Sequence, residues 1–321
     1  MHALKKLSEI IGVSGYEEFV SKEIEDILCN NPQIIIKRDR IGNLICHIEG
    51  DIASPRVMII SHMDEVGFQV MKIDDLGRAS LKTLGNIKSW NILNQRLVST
   101  LGDKKGIVFC EDPEDIKAHD IGKISVIPTS GIFRVGDVLS FDTEFIDTDD
   151  FVIGKALDNR VSCYILCDIL KRSKRFNNSI DVVFSVQEEI GMRGARVAIT
   201  ELMPDVVIDL DVSPVGERNS LKLGEGVGIK ISDSIGVSSN LLVKRFEELA
   251  IGHSIKYQYE VSDCGTSELI ITNEKDIGAE RVGISIPCQN IHSSLTMIKK
   301  TDLRACTNLI NAFINDGIYL D

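Results

Sequence analysis

The sequence predicts an α/β fold: a mixed central sheet flanked by helices and interrupted by a small inserted β domain. Three observations carry this. "RVMIISH" (56–62), "SIDVVFSV" and "DVVIDLDV" are short apolar runs of the kind found in strands covered on both faces. From 67 to 151 the texture changes to short alternating stretches and turns ("LVSTLGDKKGIVF", "GIFRVGDVLSFD"), with no long helical pattern. Beyond 152 helix-like and strand-like segments alternate again. One domain is therefore expected from 1–66 and 152–321, with 67–151 inserted into it.

Taken in order, residues 3–12 and 16–29 read as helices. The second opens in "SGYEE", with Ser14 as its cap and acids in its first turn. "IIIKRD" and "NLICHIEG" are strand-like runs joined at Arg40–Asn43, and the buried strand 56–62 follows. After the insertion come a helix at 159–173, the strand "SIDVVFSV", a helix near 192–201 and the strand "DVVIDLDV".

The chain has 321 residues, 43% of them apolar, which is enough for a substantial core. Its formal net charge of −12 argues against a nucleic-acid partner and fits ligands that are small or cationic at one end. No stretch approaches the roughly 18 apolar residues of a membrane span. "MHALKKLSEIIGVSG" reads as an amphipathic helix rather than a signal peptide, because Glu9 interrupts its apolar part. Eight cysteines form no CxxC pair, so a reducing, cytoplasmic location is expected. Cys163 and Cys167, one helical turn apart, read as a buried helix face.

In open α/β sheets ligands bind outside the carboxyl ends of the strands. "VMII" ends in Ser61-His62-Met63-Asp64, "DVVFSV" in Gln187-Glu188-Glu189, and "DVVIDL" in Asp211. Two loops add Asp158, before a helix, and His292, after "RVGISIP". A single histidine is more often structural, and Asp158 could simply cap its helix. Joint placement at one edge argues for a bound cation, since burying such groups unpaired costs several kcal/mol each. Mixed nitrogen and oxygen donors suit Zn²⁺ or a similar first-row ion. Asp64, two residues from His62, is expected to sit behind it and accept its free ring N–H. Asp209 and Asp211 share one strand face, and Asp211 is preferred because it lies nearer the carboxyl end. "SVQEEIGMRG" (185–194) raises a question of its own: what makes adjacent Glu188 and Glu189 tolerable?

"SHMDEVGF", "GKALDN", "VQEEIGMRGA", "DLDVSP" and "NIHSS", in this order and spacing, resemble the dinuclear metallo-aminopeptidases that assemble into tetrahedral particles. This is peptidase family forty-two, of glutamyl and deblocking aminopeptidases, some labelled endoglucanase. "GVSGYEE", "RIGNL" and "LGEGVGI" extend the resemblance over nearly the whole chain. It implies a catalytic metallopeptidase domain carrying a β domain used in dimerisation. It implies two divalent ions per subunit, Zn²⁺ or Co²⁺. Asp158 would bridge them, His62 and Asp211 would complete one site, and Glu189 and His292 the other. Glu188 would be the general base, Asp64 would support His62, and the two glutamates would thus have different partners. The substrate implied is a short peptide, and the assembly a homo-oligomer, dimeric at least and dodecameric in the full carry-over.

The chain departs from the family at Gln289 and Asn290, where Arg-Tyr is usual, and at Gly265-Thr266-Ser267, where Gly-Thr-Asp is usual. "VGERN" lacks an aspartate usual there, and the insertion is shortened around 111–125. These departures bear on specificity and subunit contacts rather than on metal ligands. Two other functions compete. A glycoside hydrolase needs two carboxylates flanking the bond but not the histidines, and one Trp with 5% aromatics is a poor supply for sugar stacking. A catalytically silent assembly protein would have no need to keep all five ligands and the base.

Overall fold

The computed structural model describes residues 1–173, 176–265, 267–268, 271 and 278–320. Thr266, within the atypical Gly265-Thr266-Ser267 segment, lies outside these. Helices α1 (His2–Glu9) and α2 (Glu18–Leu28) lead into strands β1 (Ile34–Arg38), β2 (Leu44–Ile48) and β3 (Ile52–His62). Six strands follow: β4 (Gly67–Ile73), β5 (Ala79–Leu84), β6 (Arg96–Ser99), β7 (Lys105–Cys110), β8 (Ile124–Ser130) and β9 (Val138–Phe141). They close into a barrel in the order β4-β5-β8-β7-β6-β9. The chain then runs through β10 (Ile146–Asp147), β11 (Phe151–Gly154), α3 (Leu157–Arg172), β12 (Asn178–Ser185), α4 (Arg193–Leu202), β13 (Val206–Pro214) and β14 (Val227–Ser232). Helix α5 (Asn240–Gly252), β15 (Tyr257–Val261), β16 (Glu280–Gln289), β17 (Thr296–Lys299) and a final helix, Lys300–Asp316, complete it.

Eleven strands form the large sheet, ordered β1-β2-β12-β3-β13-β16-β17-β11-β10, with β14 joined to β16 and β15 to β14. Its centre, β12-β3-β13-β16, is parallel. The apolar runs follow from burial on both faces. On β3, Val57 and Ile59 enter the cluster formed with α1, α2 and α3, whereas Met58 and Ile60 pack with Ala195, Ala198 and Ile199 of α4. On β13, Ile208 and Leu210 take the first side and Val207 the second. The barrel has its own core, in which Phe68 meets Phe141 edge to face at 5.4 Å. Barrel pairing ends at Phe141, and Ile146–Asp147 already pair in the large sheet, earlier than the expected boundary at 151. No helix among the described residues is long and apolar enough to cross a membrane.

The helices near the N-terminus are shorter than their sequence pattern. α1 stops at Glu9, and α2 starts at Glu18 without a side-chain cap. Ser14 is not that cap: its hydroxyl donates to Asp64 Oδ2 at 2.6 Å, and its backbone is tied to Glu65. The expected helix at 159–173 is regular only from Arg160, because Asp158 and Asn159 have non-helical angles.

The wholly buried Arg160 guanidinium explains why these turns converge. It donates to the carbonyls of Met63 (2.6 Å), Leu7 (2.6 Å), Ile10 (3.0 Å) and Gly12 (3.2 Å), with Glu65 Oε1 at 3.8 Å. Glu65 in turn accepts from Lys155 Nζ at 2.8 Å and from the Ser140 hydroxyl of β9 at 2.8 Å. Substituting Arg160→Met would take the guanidinium donors from the buried Met63 and Leu7 carbonyls, while Ile10 keeps Lys155 Nζ at 3.2 Å and Gly12 keeps the Glu65 N–H at 3.0 Å. It is expected to lower the unfolding free energy by about 3–5 kcal/mol, read from urea denaturation. A loss below about 1 kcal/mol would mean that the guanidinium does not hold this junction.

Candidate metal centre

The four parallel strands of the sheet centre end at different heights, and the polar residues collect where they stop. His62 is the last residue of β3. β13 pairs with β3 only as far as Asp209 opposite Ile60, but continues along β16 to Pro214. Extending the β3 register by two residues sets Asp211 beside His62, and Asp211 Oδ1 lies 3.6 Å from His62 Nε2. Glu188 and Glu189 follow the end of β12, His292 follows β16, and Asp158 stands in the irregular first turn of α3. The preference for Asp211 agrees with this placement. Asp209 lies deeper, wholly buried, where burial and then Asp211 push its carboxyl up to about 7.

Asp158 is the centre of the group. Its Oδ1 lies 3.1 Å from His62 Nε2 and its Oδ2 lies 3.2 Å from His292 Nε2. Glu189 Oε2 is 3.3 Å from the same His292 nitrogen. Two sets of three donors result, His62-Asp158-Asp211 and Asp158-Glu189-His292, each with its ligand atoms within 4.8 Å of one another. Donors bound at 2.0–2.2 Å to a tetrahedral ion lie roughly 3.3–3.6 Å apart, so the spacing fits a cation in each set. Among the described residues Glu189 Oε1 is buried with no hydrogen-bond partner, which fits a group that could hold a positive charge.

The electrostatics agree. Burial disfavours charge on His62 and His292, yet both imidazoles are pushed well above the usual range by surrounding carboxylates. For His62 these are Asp158, Asp211 and Asp64, and for His292 they are Glu189 and Asp158. Burial, then repulsion from Glu189 and Asp211, drives Glu188 well above the ordinary carboxylate range against the pull of His62. Burial and Asp158 likewise raise Glu189. Carboxylates this crowded take up protons unless a cation replaces them.

Asp64 stands behind His62 as expected, on the Nδ1 side of the ring, with Nε2 facing Asp158 and Asp211, but at the edge of hydrogen-bond reach. β3 ends at His62, so strand alternation does not reach it, and its Oδ1 is 3.5 Å from His62 Nδ1. Among the described residues that ring nitrogen has no hydrogen-bond partner. Asp64 instead accepts the backbone N–H of Glu188 at 2.9 Å, that of Glu189 at 3.2 Å and the Ser14 hydroxyl. One residue at the site was not indicated by the sequence: the carbonyl of Asn86, in the inserted segment, accepts from His292 Nδ1 at 2.9 Å. Gly85 is just as close, since a Cβ there would stand 3.3 Å from Glu189 Oε2. Among the departures, Gln289 ends β16 and Asn290 sits exposed at φ 58°, while the Ser267 hydroxyl donates to Asp233 at 3.1 Å.

Comparison with known proteins places the chain among peptidases. A candidate aminopeptidase of Acetivibrio thermocellus is 33% identical, over 96% of each chain. The aminopeptidase of the archaeon Desulfurococcus kamchatkensis superposes with a TM-score of 0.91 at 25% identity, covering 98% of this chain and 94% of that one. The TET1 peptidase of Pyrococcus horikoshii, which can assemble into a tetrahedron or a large octahedral shell, shares the fold. Its TM-score is 0.88 at 23% identity, over 98% of this chain and 99% of that one. The M42 glutamyl aminopeptidase family matches residues 42–123 and 115–309, and with these strands, this donor cluster and this extent of similarity, the chain belongs to that family.

Proposed function

We propose that the chain removes N-terminal residues from short peptides, with two divalent cations, Zn²⁺ or Co²⁺, held by His62, Asp158, Glu189, Asp211 and His292. The observation that carries this is the single carboxylate of Asp158 turned toward two histidines, 3.1 and 3.2 Å away. Such ions, when bound, would supply Lewis acidity toward a scissile carbonyl and toward a water molecule. Glu188 is the general base: its carboxylate takes a proton from the water and returns it to the departing amine. Glu189 is given the other role, as one of the three donors with Asp158 and His292, its Oε2 lying 3.3 Å from His292 Nε2. Asp64 accepts from both backbone amides and fixes which glutamate faces which way. The surplus of carboxylates over histidines suits a substrate that presents a cationic α-amine.

The barrel of the inserted segment serves self-association. Ile107 and Ile127 are paired neighbours on β7 and β8, and with Phe109 they form an exposed apolar strip on its outer face; Ile132 nearby is 81% exposed. A second copy is the simplest cover for such a strip. The family resemblance extends this to twelve subunits. All eight cysteines are free, which fits a reducing cytoplasm.

Glu188→Gln should retain two metal equivalents and lose at least about 100-fold in kcat, whereas Glu189→Gln should lose one equivalent. Equal metal loss in both, measured by elemental analysis, contradicts the division of labour. Hydrolysis of aminoacyl-anilides should vanish with a chelator and return with Zn²⁺, Co²⁺ or Mn²⁺, while a β-glucan stays intact. Chelator-resistant hydrolysis, or none after metal is restored, overturns the reading. Light scattering should show a dimer or larger, and Phe109→Glu should shift it toward monomer. A wild-type monomer at micromolar concentration removes the role given to the barrel.

A further inference from the structure

Four consecutive backbone amides on the segment that bears the glutamate pair each donate to a side chain from the first 64 residues. Val186 N–H donates to Asn43 Oδ1 at 2.9 Å and Gln187 N–H to Glu17 Oε1 at 3.0 Å. Those of Glu188 and Glu189 go to the two oxygens of Asp64. Asn43 reaches the far end of the same loop as well, donating from Nδ2 to the Gly194 carbonyl at 2.8 Å. Its amide is oriented by Asp39, whose Oδ2 accepts from Nδ2 at 2.6 Å. The approach is so close that a Cβ on Gly194 would stand 2.3 Å from Asn43 Oδ1. Glu17 is 6% exposed and Asn43 wholly buried, and Glu17 Oε1 also accepts from Gly15 N–H at 2.7 Å.

A loop closed in this way has little freedom to turn its side chains. Gln187 is held at φ 56°, an unfavourable angle for a residue with a Cβ, and the bond to Glu17 is made by that residue's own N–H. We infer that Glu17 and Asn43 are positioning residues for the proposed hydrolysis: acting through the backbone of 186–189, they set the direction in which Glu188 presents its carboxyl. Neither touches the donor cluster itself. Their contribution is orientation, and misplacing a catalytic group by about 1 Å can cost on the order of 100-fold in rate.

This rests on the role given to Glu188, and the test separates the two. Glu17→Ala and Asn43→Ala should lower kcat by about 10- to 100-fold at a temperature well below each variant's Tm, with KM within about twofold. Both metal equivalents should stay bound. Glu17→Gln keeps an acceptor oxygen for the Gln187 and Gly15 amides and should recover kcat to within about threefold of wild type. Amide hydrogen exchange at 187–189 should quicken in the Ala variants, while the β3 amides stay protected. Wild-type kcat in both Ala variants, or a loss that Glu17→Gln does not recover, overturns the positioning role. If the wild-type protein hydrolyses no aminoacyl substrate, the reading of Glu188 fails, and exchange alone decides whether the loop is held. Unchanged protection at 187–189 then sinks the inference. If one Ala variant fails to fold, the other carries the same comparison.

Discussion

The guanidinium of Arg160 is the interaction on which the arrangement of this molecule depends. It stands two residues after Asp158, and its donors end on carbonyls from three chain segments: the exit of α1, the turn before α2, and the turn after β3. A buried Arg is costly unless its donors are used, and here they end on carbonyls in the last turn of α1 and in the irregular turns after it and after β3. The irregular start of α3, the shortened α1 and the end of β3 are thus one solution to a single accounting problem. Asp158 and His62, at the edges of that solution, are brought to within hydrogen-bond distance as a result.

Charge is handled by separation of partners rather than by distance. Glu188 and Glu189 are adjacent, their amides share one acceptor, and their side chains have different surroundings: His62 and Asp211 for the first, His292 and Asp158 for the second. A strand continuing through these positions would alternate their side chains across the sheet and could not send both toward the strand ends. The loop after β12, with Gln187 at positive φ, makes the arrangement available. Deeper in the core, Lys230 sits among Asp233 and Glu260, at 3.7 and 4.0 Å. It limits the negative charge gathered beneath the donors.

The large sheet and its donors were legible because they follow from two simple rules: strands buried on both faces are apolar, and ligands gather at their carboxyl ends. His62, Asp211, Glu189 and His292 are each the visible end of such a run. What was not legible lies in side chains that serve backbone. Asn43 looks like a turn residue and Glu17 like a first-turn acid of α2, and nothing in residue type says that each reaches an amide more than a hundred positions away. Asp64 stands behind His62, where its spacing puts it, but the Glu188 and Glu189 amides that it accepts are not written in residue type. A capping role for Ser14 fails on the same ground: local patterns cannot see a long-range acceptor such as Asp64.

The carbonyl of Asn86 has a different kind of importance. Because His292 is oriented by a main-chain oxygen, any amino acid that keeps the chain path at 86 can do the work. Such a contact is invisible to substitution and sensitive to length. Inserting or deleting a single residue between β5 and Trp90 would rotate that oxygen away from the imidazole, even with every side chain of the donor cluster untouched. Within this architecture, that stretch tolerates drift in identity and resists drift in spacing, so transplanting the barrel from a relative demands a matched loop length rather than a matched sequence.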